Sequence, residues 1–180
     1  MSLVMLYRDC LTADKRVRKD NYKIQDFNQL SKIYLSPDKR FAGGGVGRIL
    51  SPSQWELIRN LLDVRRVKNE SRPLVEDLEN TMSFVDKESH YVLVYGDTLL
   101  EIDIDFNISK ECKFTVTYLT KDDIAVLGSG QPPAKVLINS GKAFNQQQFF
   151  KIVSIAESDV SSEYEFIELK NVVDSPWYKR

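Results

Sequence analysis

The sequence predicts an α+β fold: N-terminal helices packed on a C-terminal antiparallel β-sheet of six or seven strands that curls towards a barrel. Three observations predict it. Apolar residues recur every three or four positions in the first half and every two after Tyr91. The run Tyr91–Phe106 reads as a hairpin, with an apolar strand, a Gly96-Asp97 turn and an alternating second strand. The connectors beyond residue 106 are short, which favours antiparallel neighbours over parallel crossovers. We expect one domain over residues 1–180, divided into a mainly helical half (1–88), an antiparallel β half (91–170) and a C-terminal tail (171–180).

Residues 3–18 read as an amphipathic helix through Leu3, Leu6, Tyr7, Cys10, Leu11 and Val17. Residues 20–35 are ambiguous between a helix and a short strand ending at Leu35. Ser36-Pro37-Asp38 is a turn signal, and Gly43–Gly47 reads as a loop or bend because glycine weakens regular elements. Ser51-Pro52-Ser53-Gln54 opens a helix with a capping box, and Trp55, Ile58, Leu61 and Leu62 form its apolar stripe. A second helix runs from about Pro73 to Asp86. Strands then follow at Tyr91–Tyr95, Leu99–Phe106, Lys113–Leu119, Ile124–Leu127, Lys135–Asn139, Phe149–Ala156 and Tyr164–Lys170, with Asn145–Phe150 readable instead as a short helix. Asn107–Lys110, Thr120–Asp123, Gly128–Pro133 and Ser140-Gly141 connect them.

The 180 residues are 42% hydrophobic and 28% charged, values of a globular chain. No apolar run reaches the roughly 18 residues a bilayer span requires. Met1–Leu6 breaks at once into Arg8 and Asp9, so a signal peptide is not expected and the location expected is cytoplasmic or otherwise intracellular. His90 is the only histidine, which excludes sites built on two imidazoles. Cys10 and Cys112 are too few and too distant for a zinc finger, and read as small packed hydrophobes.

Net charge is −1, but it is segregated. Residues 1–70 hold 14 Lys and Arg against 8 Asp and Glu, and the remainder 11 against 18. Lys15, Arg16, Arg18 and Lys19, with Arg65, Arg66 and Lys68, form the basic clusters a nucleic-acid surface would use, Tyr22, Tyr34 and Phe41 lying near for stacking. Each cluster also lies near an expected helix end, where cations are ordinary.

Glu101, Asp103 and Asp105 share one face of the second hairpin strand. Oxygen ligands so aligned are what Mg²⁺ or Mn²⁺ takes in phosphoryl chemistry. Their alternation resembles part of the nucleotidyltransferase signature, without its upstream Gly-Ser or Gly-Gly turn. Glu168-Leu169-Lys170, with Asp159 upstream, resembles the end of a PD-(D/E)XK nuclease motif, without the helix and strand that follow there. Gly43–Gly47 meets neither the mononucleotide nor the dinucleotide fingerprint. Serines 158, 161 and 162 show no nucleophile elbow.

No catalytic set is complete, and the tail ends in the adjacent aromatics Trp177 and Tyr178. The leading expectation is therefore a non-enzymatic protein-interaction module of an intracellular assembly, docking a protein partner through its sheet edge, the Trp177–Tyr178 tail or its basic half. One alternative is a Mg²⁺- or Mn²⁺-dependent phosphodiester- or nucleotide-processing enzyme using Glu101, Asp103 and Asp105. The other is a nucleic-acid-binding module. No cofactor is implied outside the metal alternative, and no membrane partner is expected.

Overall fold

The computed structural model describes residues 2–15, 31–142 and 144–179. Its strands are β1 (Val4–Tyr7), β2 (Cys10–Asp14), β3 (Ile33–Leu35), β4 (Phe41–Val46), β5 (Ser89–Tyr95), β6 (Thr98–Phe106), β7 (Cys112–Leu119), β8 (Ala125–Leu127) and β9 (Tyr164–Glu168). Its helices are α1 (Pro52–Lys68), α2 (Leu74–Thr81), α3 (Gln131–Asn139) and α4 (Gln146–Ala156).

The strands form two antiparallel sheets rather than one. The order is β8-β1-β2-β9 in the smaller and β3-β4-β5-β6-β7 in the larger. Three buried clusters define four layers. Trp55, Ile58, Leu78 and Met82 of the α1–α2 region pack on Tyr91, Leu93, Leu100 and Ile102 of the larger sheet. Val4, Leu6, Leu11 and Ala13 meet Ala42, Val92 and Val94 between the sheets. Phe149, Phe150 and Val153 of α4 cover Leu3 and Met5 on the other face of the smaller sheet. Sheets are thus stacked inside and helix pairs lie outside, with no barrel and no segregation of helices into the first half.

The expected β5–β6 hairpin is present, Tyr95 opposite Thr98 across Gly96-Asp97. So is the capping box of α1, where Ser51 and Gln54 satisfy each other's backbone donors. Of the helix expected over 3–18, the described part, to residue 15, is instead the β1–β2 hairpin, turning at Arg8 and Asp9 with φ of 49° and 56°; the rest, and most of the ambiguous stretch 20–35, lies outside the described residues. Both faces of this hairpin are buried, so Leu3-Val4-Met5-Leu6 runs continuously apolar and hides the two-residue period. The strands expected at Lys135–Asn139 and Phe149–Ala156 are α3 and α4. Asn145 caps α4 in a capping box with Gln148.

The glycine run expected as a loop is strand β4. A Cβ on Gly43 would fall 2.5 Å from the Trp55 ring, and one on Gly44 would fall 3.0 Å from Ile33 and Val4. Helix α1 and the opposing sheet therefore press directly on this backbone, and only residues without side chains allow both approaches. Trp55 is the centre of an aromatic cluster, stacked with Tyr34 and edge-on to Tyr91.

Two predictions follow from this packing. Gly43→Ala overpacks the α1 layer and lowers unfolding free energy by about 1–3 kcal/mol in urea denaturation. Combining it with Trp55→Leu makes space for the methyl, so the pair costs less than the sum of the single changes. Tyr91 donates its hydroxyl to the Arg48 carbonyl at 2.6 Å. Burial pushes its pKa up to about 12 from an ordinary 10.0. Between those values the unfolded chain loses a proton that the folded chain keeps, so this contribution to stability is intact below pH 10 and declines towards pH 12. Tyr91→Phe should flatten the alkaline stability loss, read as the difference between the two proteins' denaturation midpoints from pH 9 to pH 11.

Candidate active site at the start of the first strand

Strand β2 ends at Asp14, which is 0% exposed. A buried carboxylate must be compensated by hydrogen bonds and an opposite charge. Lys32, just ahead of β3, supplies the charge: its Nζ lies 2.7 Å from Asp14 Oδ1, and Lys32 is only 3% exposed. The Leu3 N–H donates to the same oxygen at 2.8 Å, and the Ser161 N–H donates to Oδ2 at 3.0 Å. One side chain thus joins the N-terminal segment, the entry to β3 and the loop before β9.

The other side of the N-terminal segment rests on the loop after β8. Gly128 has φ +97°, and a Cβ there would fall 1.9 Å from the Ser2 carbonyl oxygen. The Gly130 N–H donates to that same oxygen at 3.3 Å. Between the two glycines, the Ser129 hydroxyl is buried and has no hydrogen-bond partner among the described residues. Ser2, 8% exposed, is therefore clamped through its own carbonyl on one side and through the next amide on the other. Ser2, the buried Asp14–Lys32 pair and the Ser129 hydroxyl thus lie at one end of the sandwich.

The residues expected from the sequence lie elsewhere or are divided. Glu101, Asp103 and Asp105 do share a face of β6, the one that continues from Leu99 in the inter-sheet core. Glu101 pairs with His90, its Oε1 2.5 Å from Nε2. Asp103 lies opposite His90 and Thr115, and Asp105 opposite Lys113. Among the described residues, no group of three His, Cys, Asp or Glu is placed to hold a metal ion.

Of the basic residues, Lys15, Arg65, Arg66 and Lys68 are among the described ones, the last three in the final turn of α1. Lys15 follows β2, its N–H bonded to Glu163. Arg65 pairs with Asp77 at 2.5 Å, Arg66 lies over the Tyr95 ring, and Lys68 is exposed at the end of α1. Arg16, Arg18 and Lys19 lie outside the described residues. The tail folds back: the Val173 N–H reaches the Lys39 carbonyl at 2.7 Å, and Trp177 packs against the inter-sheet core with Tyr178 beside it, its N–H on Ser175. Burial pushes the thiols of Cys10 and Cys112 above their ordinary pKa, so neither is poised as a thiolate.

Sequence reading missed Ser2, Asp14, Lys32 and Ser129 because they come from separate strand ends with no motif spacing. Two signals were present: an acid closing the apolar run Leu11-Thr12-Ala13-Asp14, and a serine between two glycines at 128–130.

No family model and no curated protein matches this sequence. Solved structures do resemble its fold. HslV from Trypanosoma brucei superposes with a TM-score of 0.52 at 15% identity, covering 92% of this chain and 97% of that one. Anbu, an ancestral beta-subunit from Yersinia bercovieri, gives 0.51 at 14% identity, covering 92% and 79%. The two-sheet architecture with helix layers outside is thus the fold also found in HslV and Anbu. That likeness overturns the expected non-enzymatic interaction module, and with it the metal-dependent and nucleic-acid readings held beside it. Among the described residues, no helix is long and apolar enough to cross a membrane.

Proposed function

We propose that this chain is an amide-bond hydrolase of the peptidase type, with Ser2 as its nucleophile once residue 1 is removed. The observation that carries this reading is the clamp on Ser2 between the buried Asp14–Lys32 pair and the Gly128–Gly130 turn. Removing residue 1 gives Ser2 an α-amine with an ordinary pKa of about 7.7–8.0, near neutrality and next to its own hydroxyl. Neutral, that amine takes the hydroxyl proton as the oxygen attacks a substrate carbonyl. The tetrahedral adduct collapses to an ester on Ser2, and the departing amine carries the proton away. Water, deprotonated by the same α-amine, then cleaves the ester and restores the hydroxyl.

Lys32 brings a positive charge beside the segment where negative charge develops, and Asp14 fixes its position. The buried Ser129 hydroxyl is a hydrogen-bond partner for the new α-amine. The fold shared with HslV and Anbu supports the reading by analogy of architecture. We further infer that copies of the chain assemble with one another. The exposed Val136 on α3 and Ile155 on α4 supply apolar surface for this, at 69% and 80% exposure.

The test is turnover of fluorogenic peptide amides by protein whose first residue is shown to be Ser2 by mass spectrometry. Ser2→Ala should lower kcat by at least about a thousandfold, and a chain retaining residue 1 should be equally inactive. Activity should rise with pH to a plateau above about 8, following the α-amine. Absence of any Ser2-dependent turnover would sink the reading. Asp14→Asn and Lys32→Met should each cost about 3–5 kcal/mol of stability, because each strands a buried charge, whereas the double change costs less than their sum. Chemical denaturation measures both. Light scattering should return a mass that is a multiple of 20.8 kDa, and Ile155→Glu should reduce it.

A further inference from the structure

The turn end of the β1–β2 hairpin, away from Ser2, carries a feature that the hydrolytic reading does not use. One side of the turn meets an aromatic cleft walled by Phe149 and Phe150, where Arg8 is the one charged residue among those described. The other side opens into a larger hollow of about 580 Å³. Three chain segments form it: the hairpin turn, the loop between β7 and β8, and the C-terminal tail. The tail is pinned in place as a wall. The Leu169 N–H donates to the Asp9 carbonyl at 2.8 Å, the Ser175 hydroxyl to the Leu169 carbonyl at 2.9 Å, and the Tyr178 N–H to the Ser175 carbonyl at 3.0 Å. Trp177, half-buried, thereby packs against the inter-sheet core and also lines the hollow.

Each segment contributes a cation: Arg8 from the turn, Lys121 from the loop, Lys170 and Lys179 from the tail. Lys170 has only an exposed contact with Glu168 at 3.5 Å, and Arg8, Lys121 and Lys179 pair with no carboxylate among the described residues. Cations gathered in this way repel one another until a multiply charged anion lies between them. Of the acids on the same walls, Asp123 is turned back on its own loop, where it accepts from the Thr120 N–H at 2.7 Å. Asp9 and Asp122 stay exposed, and one or two carboxylates beside phosphates are the setting in which Mg²⁺ is held. Trp177 adds aromatic surface on which a planar ring stacks. A hollow of this volume holds one small molecule, and one indole stacks one base rather than a strand of them. We propose that the hollow binds a nucleoside polyphosphate with its Mg²⁺, the base against Trp177 and the phosphates among Arg8, Lys121, Lys170 and Lys179. It lies at the hairpin's turn and Ser2 at the open end, so the site stands independently of the hydrolytic reading.

The test is isothermal titration calorimetry of the full chain with ATP, AMP and inorganic triphosphate, each in excess Mg²⁺. ATP should bind with a Kd below about 100 μM, AMP at least about tenfold more weakly for want of phosphates, and inorganic triphosphate at least about tenfold more weakly for want of a base. ATP should also quench indole emission, since Trp177 is accessible while Trp55 is 2% exposed. Lys121→Gln combined with Lys179→Gln changes two exposed positions. The pair should weaken ATP at least about tenfold while the melting temperature of the free chain stays near that of the parent. Equal affinity for ATP and inorganic triphosphate overturns the proposal and leaves a plain anion site. So does unchanged ATP affinity in the double-lysine variant, an absent quench, or no binding of ATP at about 1 mM. Tighter binding of decathymidylate than of ATP also overturns it, assigning the surface to single-stranded nucleic acid.

Discussion

The Asp14 carboxylate organises one end of this molecule. It is fully buried, so the interior tolerates its charge only because Lys32 Nζ and two backbone N–H groups surround it. Those donors belong to the N-terminal segment, the entry to β3 and the loop before β9. Satisfying one carboxylate therefore fixes the mutual positions of three strand ends. The arrangement is specific rather than cheap, because an apolar substitute would pack without ordering the Leu3 amide or the Lys32 ammonium. The desolvation that demands a partner for Asp14 thereby also fixes the Lys32 ammonium next to the carboxylate that holds the Leu3 amide.

The glycines carry the second constraint. Gly43 and Gly44 let α1 and the opposing sheet meet the β4 backbone from both sides, and Gly128 lets the Ser2 carbonyl approach its loop. In each case a missing Cβ converts a strand or turn into a contact surface. The four-layer stack depends on the first pair, and the seat of the N-terminal segment depends on Gly128. Packing in the α1–α2 layer and geometry at Ser2 are linked through β4, because Gly44 touches Val4 two residues beyond Ser2 on β1.

Ser2 and the aromatic cleft beside Tyr7 and Phe150 lie towards opposite ends of the β1–β2 hairpin. β1 carries Ser2 just before it and Tyr7 at its far end, a span of four strand residues.

Local chemistry was legible where its cause was local. The α1 capping box depends on Ser51 and Gln54, three residues apart, and the β5–β6 hairpin on its Gly96-Asp97 turn and on alternation along one half-exposed face. Those elements follow from the sequence by itself, as does the shared face of Glu101, Asp103 and Asp105. The β1–β2 hairpin was not legible, because the sheet on one side and helices on the other bury both faces and erase the two-residue period in Leu3–Leu6. β4 was misread because its glycines answer to Trp55, Ile33 and Val4, which are distant in sequence. Only tertiary structure decided the split into two sheets and the meeting of Ser2, Asp14, Lys32 and Ser129. The reason is physical: a buried charge chooses its partner by proximity in space, and no spacing along the chain records that choice.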